Sequence, residues 1–222
     1  MKIDILTLFP DAFNYFNCSL LDKARKSSKL EINIINIRDF AKNKHQQCDD
    51  YSFGGGPGMV MMPQPIADAL KSIDGYKDAL KIYMSPKGKQ LKQDMVKELS
   101  NVKHMIILCG HYEGVDQRVL DLYFDEEISV GDYVLMGGEV PAMVLVDAVS
   151  RYIDNVLGNA DSVVDESFSN GLLEYPQYTR PQVFEGVSVP DVLVSGNHQE
   201  IAKWRHEKQI EITKKNRPDL LK

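Results

Sequence analysis

Cysteine is scarce in this sequence and poorly placed for cross-linking. The three copies, Cys18, Cys48 and Cys109, are widely spaced and form no Cys-x-x-Cys pair. That argues against a disulfide framework and against a structural zinc site. Cys109 closes the apolar run Met105-Ile106-Ile107-Leu108-Cys109 and reads as a small buried hydrophobe. No apolar stretch reaches the roughly 18 residues that a membrane-spanning helix needs. The opening Met1-Lys2-Ile3-Asp4 passes straight into a strand-like run, with neither the apolar core nor the cleavage site of a secretory signal. A soluble, cytoplasmic protein with no membrane partner is the expectation. No Gly-x-Gly-x-x-Gly turn opens a helix after a strand, and no Gly-Lys-Ser/Thr closes a Walker A loop. Both absences weaken a dinucleotide oxidoreductase and an ATPase. Net positive charge is missing too: the formal charge is −6, which counts against a nucleic-acid partner because phosphate contacts need Lys and Arg.

What is present is an ordinary globular composition, 43% apolar and 26% charged over 222 residues, long enough for one α/β body with a small appended unit. The charge is unevenly spread. From Gly196 to Lys222 seven basic residues stand against four acidic ones, a net +3 that leaves −9 for the rest of the −6 total. A basic tail on an acidic body suits an RNA contact, although charge alone favours a plain solvated helix.

The first part of the chain alternates between strand and helix patterns. Lys2 to Leu8 is β-rich, and Pro10 opens a helical pattern carried by Phe13, Phe16, Leu20 and Leu21. Strands are predicted over 30–37, 80–84, 105–108 and 127–130, and helices over 64–73, 90–99, 115–123 and 139–153. The 43–58 segment reads as a loop. The continuous run before Cys109 suits a strand covered on both faces, and the alternation implies a mostly parallel sheet. From Asn155 the texture becomes polar and rich in Asn, Ser and Gly, and 197–215 reads as one long basic helix capped by Asn197. The expected organisation is a body over 1–156, a linker over 157–172 and a small helical unit over 173–222.

Three glycine-bearing segments carry the candidate chemistry. They are Tyr51-Ser52-Phe53-Gly54-Gly55-Gly56-Pro57-Gly58-Met59, the turn 108–118 containing Gly110-His111-Tyr112-Glu113-Gly114, and the stretch 128–142 containing Val130-Gly131-Asp132-Tyr133-Val134-Leu135-Met136-Gly137-Gly138. Each alone is a surface loop or a tight connection as readily as a site. Together they suggest one, because ligands of open α/β sheets bind at the carboxyl ends of strands and glycine lets them approach the backbone.

These segments, with Tyr83-Met84-Ser85-Pro86-Lys87-Gly88, Ser167-Phe168, the run from Gly171 to Pro181, Leu193-Val194-Ser195-Gly196-Asn197-His198 and Trp204-Arg205, resemble tRNA (guanine-N1)-methyltransferases of the TrmD type. The resemblance stays in register over essentially the whole chain, whose C-terminus ends somewhat earlier than in longer members. It implies a SPOUT-class fold with a trefoil knot and a small C-terminal helical domain. It also implies a homodimer with active sites shared between subunits, and a tRNA substrate with guanosine just 3′ of the anticodon. S-adenosylmethionine is the implied methyl donor. Similarity assigns its cradle to Tyr83, Met84, Ser85, Pro86, Gly110, Tyr112, Glu113, Gly114, Val130, Gly131, Asp132, Tyr133, Val134, Leu135, Gly137 and Gly138.

Guanine N1 bears a proton, so methyl transfer to it calls for a general base. Charge developing on O6 calls for a positive donor. Arg151 resembles the family arginine in the second role, although by itself it reads as a cation at a helix C-terminus. The family base is an aspartate directly before Ser-Phe. Here Glu166 stands in that place, one methylene longer, with Asp165 as the alternative. Glu113 is a candidate for orienting guanine or holding a divalent ion. The family resemblance implies magnesium, for which no ligand spacing is diagnostic. Trp204 reads as packing a small core, with base stacking as the other option. Two other readings remain: an RNA-binding protein of the same fold without methyl transfer, and a doubly wound nucleotide oxidoreductase.

Overall fold

In the computed structural model, which describes residues 1–157 and 166–221, the apolar run ending at Cys109 becomes a strand buried on both faces. It belongs to the first of two units, Met1–Gly158 and Asn159–Lys222. The first unit runs β1 (Lys2–Thr7), a 3₁₀ segment (Pro10–Asn17), α1 (Ser19–Lys26), β2 (Glu31–Asn36), a 3₁₀ turn (Ile37–Phe40), β3 (Asp49–Tyr51) and β4 (Met59–Met61). It continues with α2 (Pro63–Lys71), β5 (Leu80–Gln90), α3 (Gln93–Leu99), β6 (His104–Cys109), α4 (Gln117–Tyr123), β7 (Glu126–Ser129) and α5 (Glu139–Ser150).

Five strands form one sheet in the order β2-β1-β6-β5-β7, and every neighbouring pair is parallel. Parallel neighbours need long crossovers, and helices supply them here. Side chains alternate across β6. Met105, Ile107 and Cys109 point into a layer completed by Leu21 and Ala24 of α1, Val96 and Leu99 of α3, and Leu145, Val146 and Val149 of α5. Ile106 and Leu108 point the other way, against Ile66 and Leu70 of α2 and Val119 and Leu120 of α4. Both faces are therefore dry, which explains why β6 carries no polar alternation. At the start of the sheet, Asp4 is 2% exposed. It accepts from Asn33 Nδ2 at 2.9 Å and lies 2.6 Å from His104 Nε2, so one buried carboxylate ties β1 to the strands on either side.

The mostly parallel α/β body expected from the alternation is present, with two local differences. The pattern opened by Pro10 divides into a 3₁₀ segment and then α1, with Cys18 between them and Ser19 at φ 55° opening the helix. The strand expected to end at Met84 continues to Gln90 after an excursion, because Met84 and Lys89 both register with Ile128 of β7.

In the second unit, β8 (Val183–Phe184) and β9 (Val187–Ser188) form a short antiparallel pair, followed by α6 (Asp191–Val194) and α7 (His198–Asn216). Asn197 caps α7 as expected, its side chain accepting from the amides of Gln199 and Glu200. The interior of this unit is partly polar. Thr213 is fully buried; its hydroxyl accepts from the Leu173 amide at 2.8 Å and donates to the Gln209 carbonyl at 2.7 Å. Among the described residues no helix is long and apolar enough to cross a membrane.

Two measurements check this packing. Ile107→Ala is expected to lower stability by about 2–5 kcal/mol, and Thr213→Val by about 1–3 kcal/mol through the orphaned Leu173 amide, both by chemical denaturation. Burial pushes the Cys48 and Cys109 thiols up from their usual range, whereas Cys18 is exposed. Native-state alkylation at mildly alkaline pH is therefore expected to label Cys18 and spare Cys109 until the chain is unfolded.

Candidate functional site

The carboxyl ends of β5, β6 and β7 open into three turns that wall a single cavity. The first wall is the excursion 85–88 within β5, closed by the Lys87 amide donating to Ser85 Oγ at 3.1 Å. Just before it, Tyr83 is 5% exposed. Its ring lies directly against Gly110: a Cβ there would meet the Tyr83 hydroxyl at 2.6 Å. Burial, then the negative charge of Glu127, push the Tyr83 phenol up to about 12. It stays protonated at neutral pH and keeps an O–H to donate.

The second wall is the turn after β6. Tyr112 adopts φ 58° and Gly114 φ 121°, and a bulky residue at positive φ marks a turn held by its surroundings. Those surroundings are β4. The Glu113 amide donates to the Met59 carbonyl at 3.0 Å, the Met61 amide to the Gly114 carbonyl at 2.9 Å, and the Asp116 amide to the Met61 carbonyl at 3.0 Å. Asp116 then caps α4 by accepting from the Arg118 amide. The Arg118 guanidinium donates to it at 2.9 and 2.7 Å and holds its carboxyl below the ordinary carboxylate range. Docking β4 in this way brings the glycine loop 54–58 over Glu113, whose side chain lies 2.6 Å from where a Gly58 Cβ would be.

The third wall runs from β7 to α5. Ser129 Oγ accepts from the Gly131 amide and donates to its carbonyl. At the far end, the Gly138 amide donates to the Gly110 carbonyl at 2.8 Å. A Cβ at Gly138 would sit 2.7 Å from Cys109 Cα, so this position requires glycine for close approach rather than for its dihedrals. One at Gly137 would sit 2.3 Å from His111 Nε2. Beneath these two glycines lies a buried chain of polar contacts. Thr7 Oγ1 donates to Glu139 Oε1 at 2.6 Å, and Glu139 Oε2 lies 2.6 Å from His111 Nε2. No spacing pattern signals this set of contacts, since Thr7 and Glu139 are 132 positions apart.

The resulting cavity holds about 330 Å³, a size suited to a small organic ligand. It gathers Tyr83, Met84, Ser85, Pro86, Gly110, Tyr112, Glu113, Gly114, Val130, Gly131, Tyr133, Val134, Leu135, Gly137 and Gly138; Asp132 is absent from its lining. Its outer rim is apolar and open, with Val134 83% and Met136 94% exposed.

The proposed catalytic groups lie elsewhere. Arg151 follows α5 and lines a smaller cavity of about 150 Å³ with Tyr15, Cys18, Leu20 and Asp147, where the Tyr15 hydroxyl bonds the Asp147 carboxylate. Glu166 belongs to the second unit and opens a tight turn, in which its carbonyl accepts from Ser169 Oγ at 2.7 Å. Asp165 lies outside the described residues. Among the described residues, no group of three His, Cys, Asp or Glu side chains converges as a metal site, so no step below is routed through magnesium.

A parallel α/β unit whose glycine turns wall a small-molecule cavity is the general class. Within it, the chain matches the tRNA (guanine-1)-methyltransferase TrmD family over residues 1–222 and belongs to that family. It is 56% identical over 223 residues to the tRNA (guanine-N(1)-)-methyltransferase of Caldanaerobacter subterraneus subsp. tengcongensis, covering 100% of this chain and 92% of that one. It is 56% identical over 223 residues to the protein of the same name from Ruminiclostridium cellulolyticum, with 99% and 96% covered. Against that of Clostridium botulinum it is 52% identical over 222 residues, with 100% and 92% covered.

The glycine contacts yield a paired test. Gly138→Ala drives a methyl into backbone and is expected to lower stability by at least about 3 kcal/mol. Gly54 has φ 88° but open space around it, so Gly54→Ala is expected to lose only about 1–2 kcal/mol. Thermal or urea denaturation of both variants checks the contrast.

Proposed function

We propose that this protein transfers the methyl group of S-adenosylmethionine to N1 of the guanosine immediately 3′ of the anticodon in tRNA, position 37. In this reading it works in the cytoplasm as a homodimer whose active sites draw on both subunits. The observation that carries the reading is the convergence of the family-like glycine segments on one cavity, in a chain that belongs to the family along its whole length.

The cavity fits the donor in size and chemistry. Pro86, Val130 and Leu135 offer apolar surface for an adenine face, while the glycine turns offer backbone groups for its polar edge. When bound there, S-adenosylmethionine supplies an electrophilic methyl carried on a sulfonium. Tyr83 stays neutral and donates a hydrogen bond without adding charge beside that cation. Glu166 takes the N1 proton as the new N–C bond forms and the S–C bond breaks, with Asp165 as the alternative base. Arg151 holds guanine O6, its planar fork matching a carbonyl on which negative charge grows. Because Arg151 lies outside the cavity of its own unit, a second subunit is needed to complete the site. The apolar rim at Val134 and Met136, with Val140 and Val144 exposed on α5, supports such a partner.

The same reading places a trefoil knot in the later part of the body over 1–156. The close backbone approach of Gly138 to Gly110, and of Gly88 to the Glu127 main chain, supports it. Residues 157–172 serve as the linker carrying the base, and 173–222 as the tRNA-binding domain.

Purified protein incubated with labelled S-adenosylmethionine and an unmodified tRNA transcript is expected to yield 1-methylguanosine. A transcript with adenosine at the same position is expected to stay unlabelled. Glu166→Gln is expected to slow transfer by about 10²–10⁴-fold while cofactor binding persists; the same loss in Asp165→Asn instead would move the base by one residue. Cofactor binding with no label in any transcript would overturn the proposal.

A further inference from the structure

One cavity of the second unit plays no part in this chemistry. It is an open groove of about 520 Å³. Its aromatic lining is Tyr175, Tyr178 and Trp204, the last two with ring centroids 6.3 Å apart and planes inclined at 56°. The two rings are tilted rather than stacked on each other, and Tyr178 is 49% exposed. Its charged lining is Arg180 and Arg205, with no Asp or Glu among the lining residues. The Arg205 guanidinium lies 4.7 Å from the Tyr175 ring centroid, a contact that orients the cation without neutralising it. Arg118 and Arg217 are each forked onto a neighbouring aspartate. Among the described residues, Arg180 and Arg205 have no such ion pair.

The charge of the groove comes from Arg180 and Arg205 themselves, because most of its lining precedes the net-positive stretch that starts at Gly196. Its occupant should therefore be an anion bearing a flat ring. Tilted aromatic rings hold a π-face, and two unneutralised guanidinium forks hold a phosphate better than a lone carboxylate.

We propose that this groove receives one unpaired nucleotide of the tRNA, its base against Trp204 and Tyr178 and its phosphate at Arg180 and Arg205. The inference rests on the tRNA part of the proposed function and adds a second RNA contact, separate from the methylated guanine. It also revises the role expected for Trp204, from core packing to a ligand face.

Trp204 is the only tryptophan in the chain, so intrinsic fluorescence reports on the groove alone. Titration of the full-length protein with an unmodified tRNA transcript is expected to change Trp204 emission saturably. Arg180→Ala and the Arg180→Ala/Arg205→Ala pair, checked for folding by circular dichroism, are expected to weaken tRNA binding about tenfold in the double variant. Each lost phosphate contact is expected to lower the slope of log Kd against log salt by about one. KM for tRNA should rise while kcat at saturation is kept.

Methylation that proceeds with unchanged emission, or variants that keep the wild-type salt slope, would remove the groove as an RNA site and leave the methyl-transfer reading standing. A saturable emission change without any methyl transfer would do the reverse. Emission that responds to protein dilution instead of RNA would assign the groove to a second copy of the chain and overturn the inference.

Discussion

A methyl group in place of the Gly138 hydrogen would lie 2.7 Å from Cys109 Cα, and at that contact the end of β6 and the start of α5 are pressed backbone to backbone. The Gly138 amide is then free to donate to the Gly110 carbonyl, so one residue sets both the separation and the register of the two glycine turns. Everything downstream inherits this placement. α5 leaves from here to bury Ala142, Leu145, Val146 and Val149 against the sheet, and it ends at Arg151. The cavity exists because the turns are held apart by backbone contacts on one side and by Tyr83 on the other. The Thr7–Glu139–His111 chain lies beside the same junction, and its His111 and Glu139 fill the space that a side chain at 137 would otherwise occupy.

Electrostatics divides the molecule in a way its total charge conceals. A chain of −6 is a poor polyanion binder on average, but binding depends on local potential rather than on the sum. Both units carry negative excess, −4 over Met1–Gly158 and −2 over Asn159–Lys222, and the positive excess is confined to the stretch from Gly196 onward. The positive residues collect toward the C-terminus, where phosphates would be met. Within the cavity the chemistry is kept close to neutral: burial holds Tyr83 protonated and Cys109 as a thiol, so neither adds charge to its walls.

The sequence made the sheet readable through β6, because five successive apolar residues can only be a strand covered on both sides in a body of this size. The glycine segments announced a site through residue type alone, and their convergence on one cavity follows from strand order. Other features left no local trace. The continuation of β5 past Met84 depends on β7 pairing with it twice, at Met84 and at Lys89. The pairing of β3 with β4, inside a stretch that reads as a loop, depends on β4 docking against the turn after β6. The link from Thr7 to Glu139 joins residues from opposite ends of the first unit. Trp204 read as core because helical spacing cannot tell a ring that packs inward from one that lines a groove. In each case the deciding contact is made by residues far away in the chain, which a local pattern does not encode.

The position of β1 inside the sheet has a consequence for how the chain is made. β1 is made before every other strand of its sheet, yet it is flanked by β2 on one side and by β6 on the other, with Lys2 opposite Glu31 and His104. One edge of β1 finds its partner early; the other waits for about a hundred further residues. At roughly 5–20 residues per second, that interval is on the order of 5–20 s, during which an apolar strand edge stays open to other chains. Until β6 is made, through about the first half of the chain, the nascent protein holds a sheet it cannot close, so the order of synthesis exposes an edge that the finished fold hides.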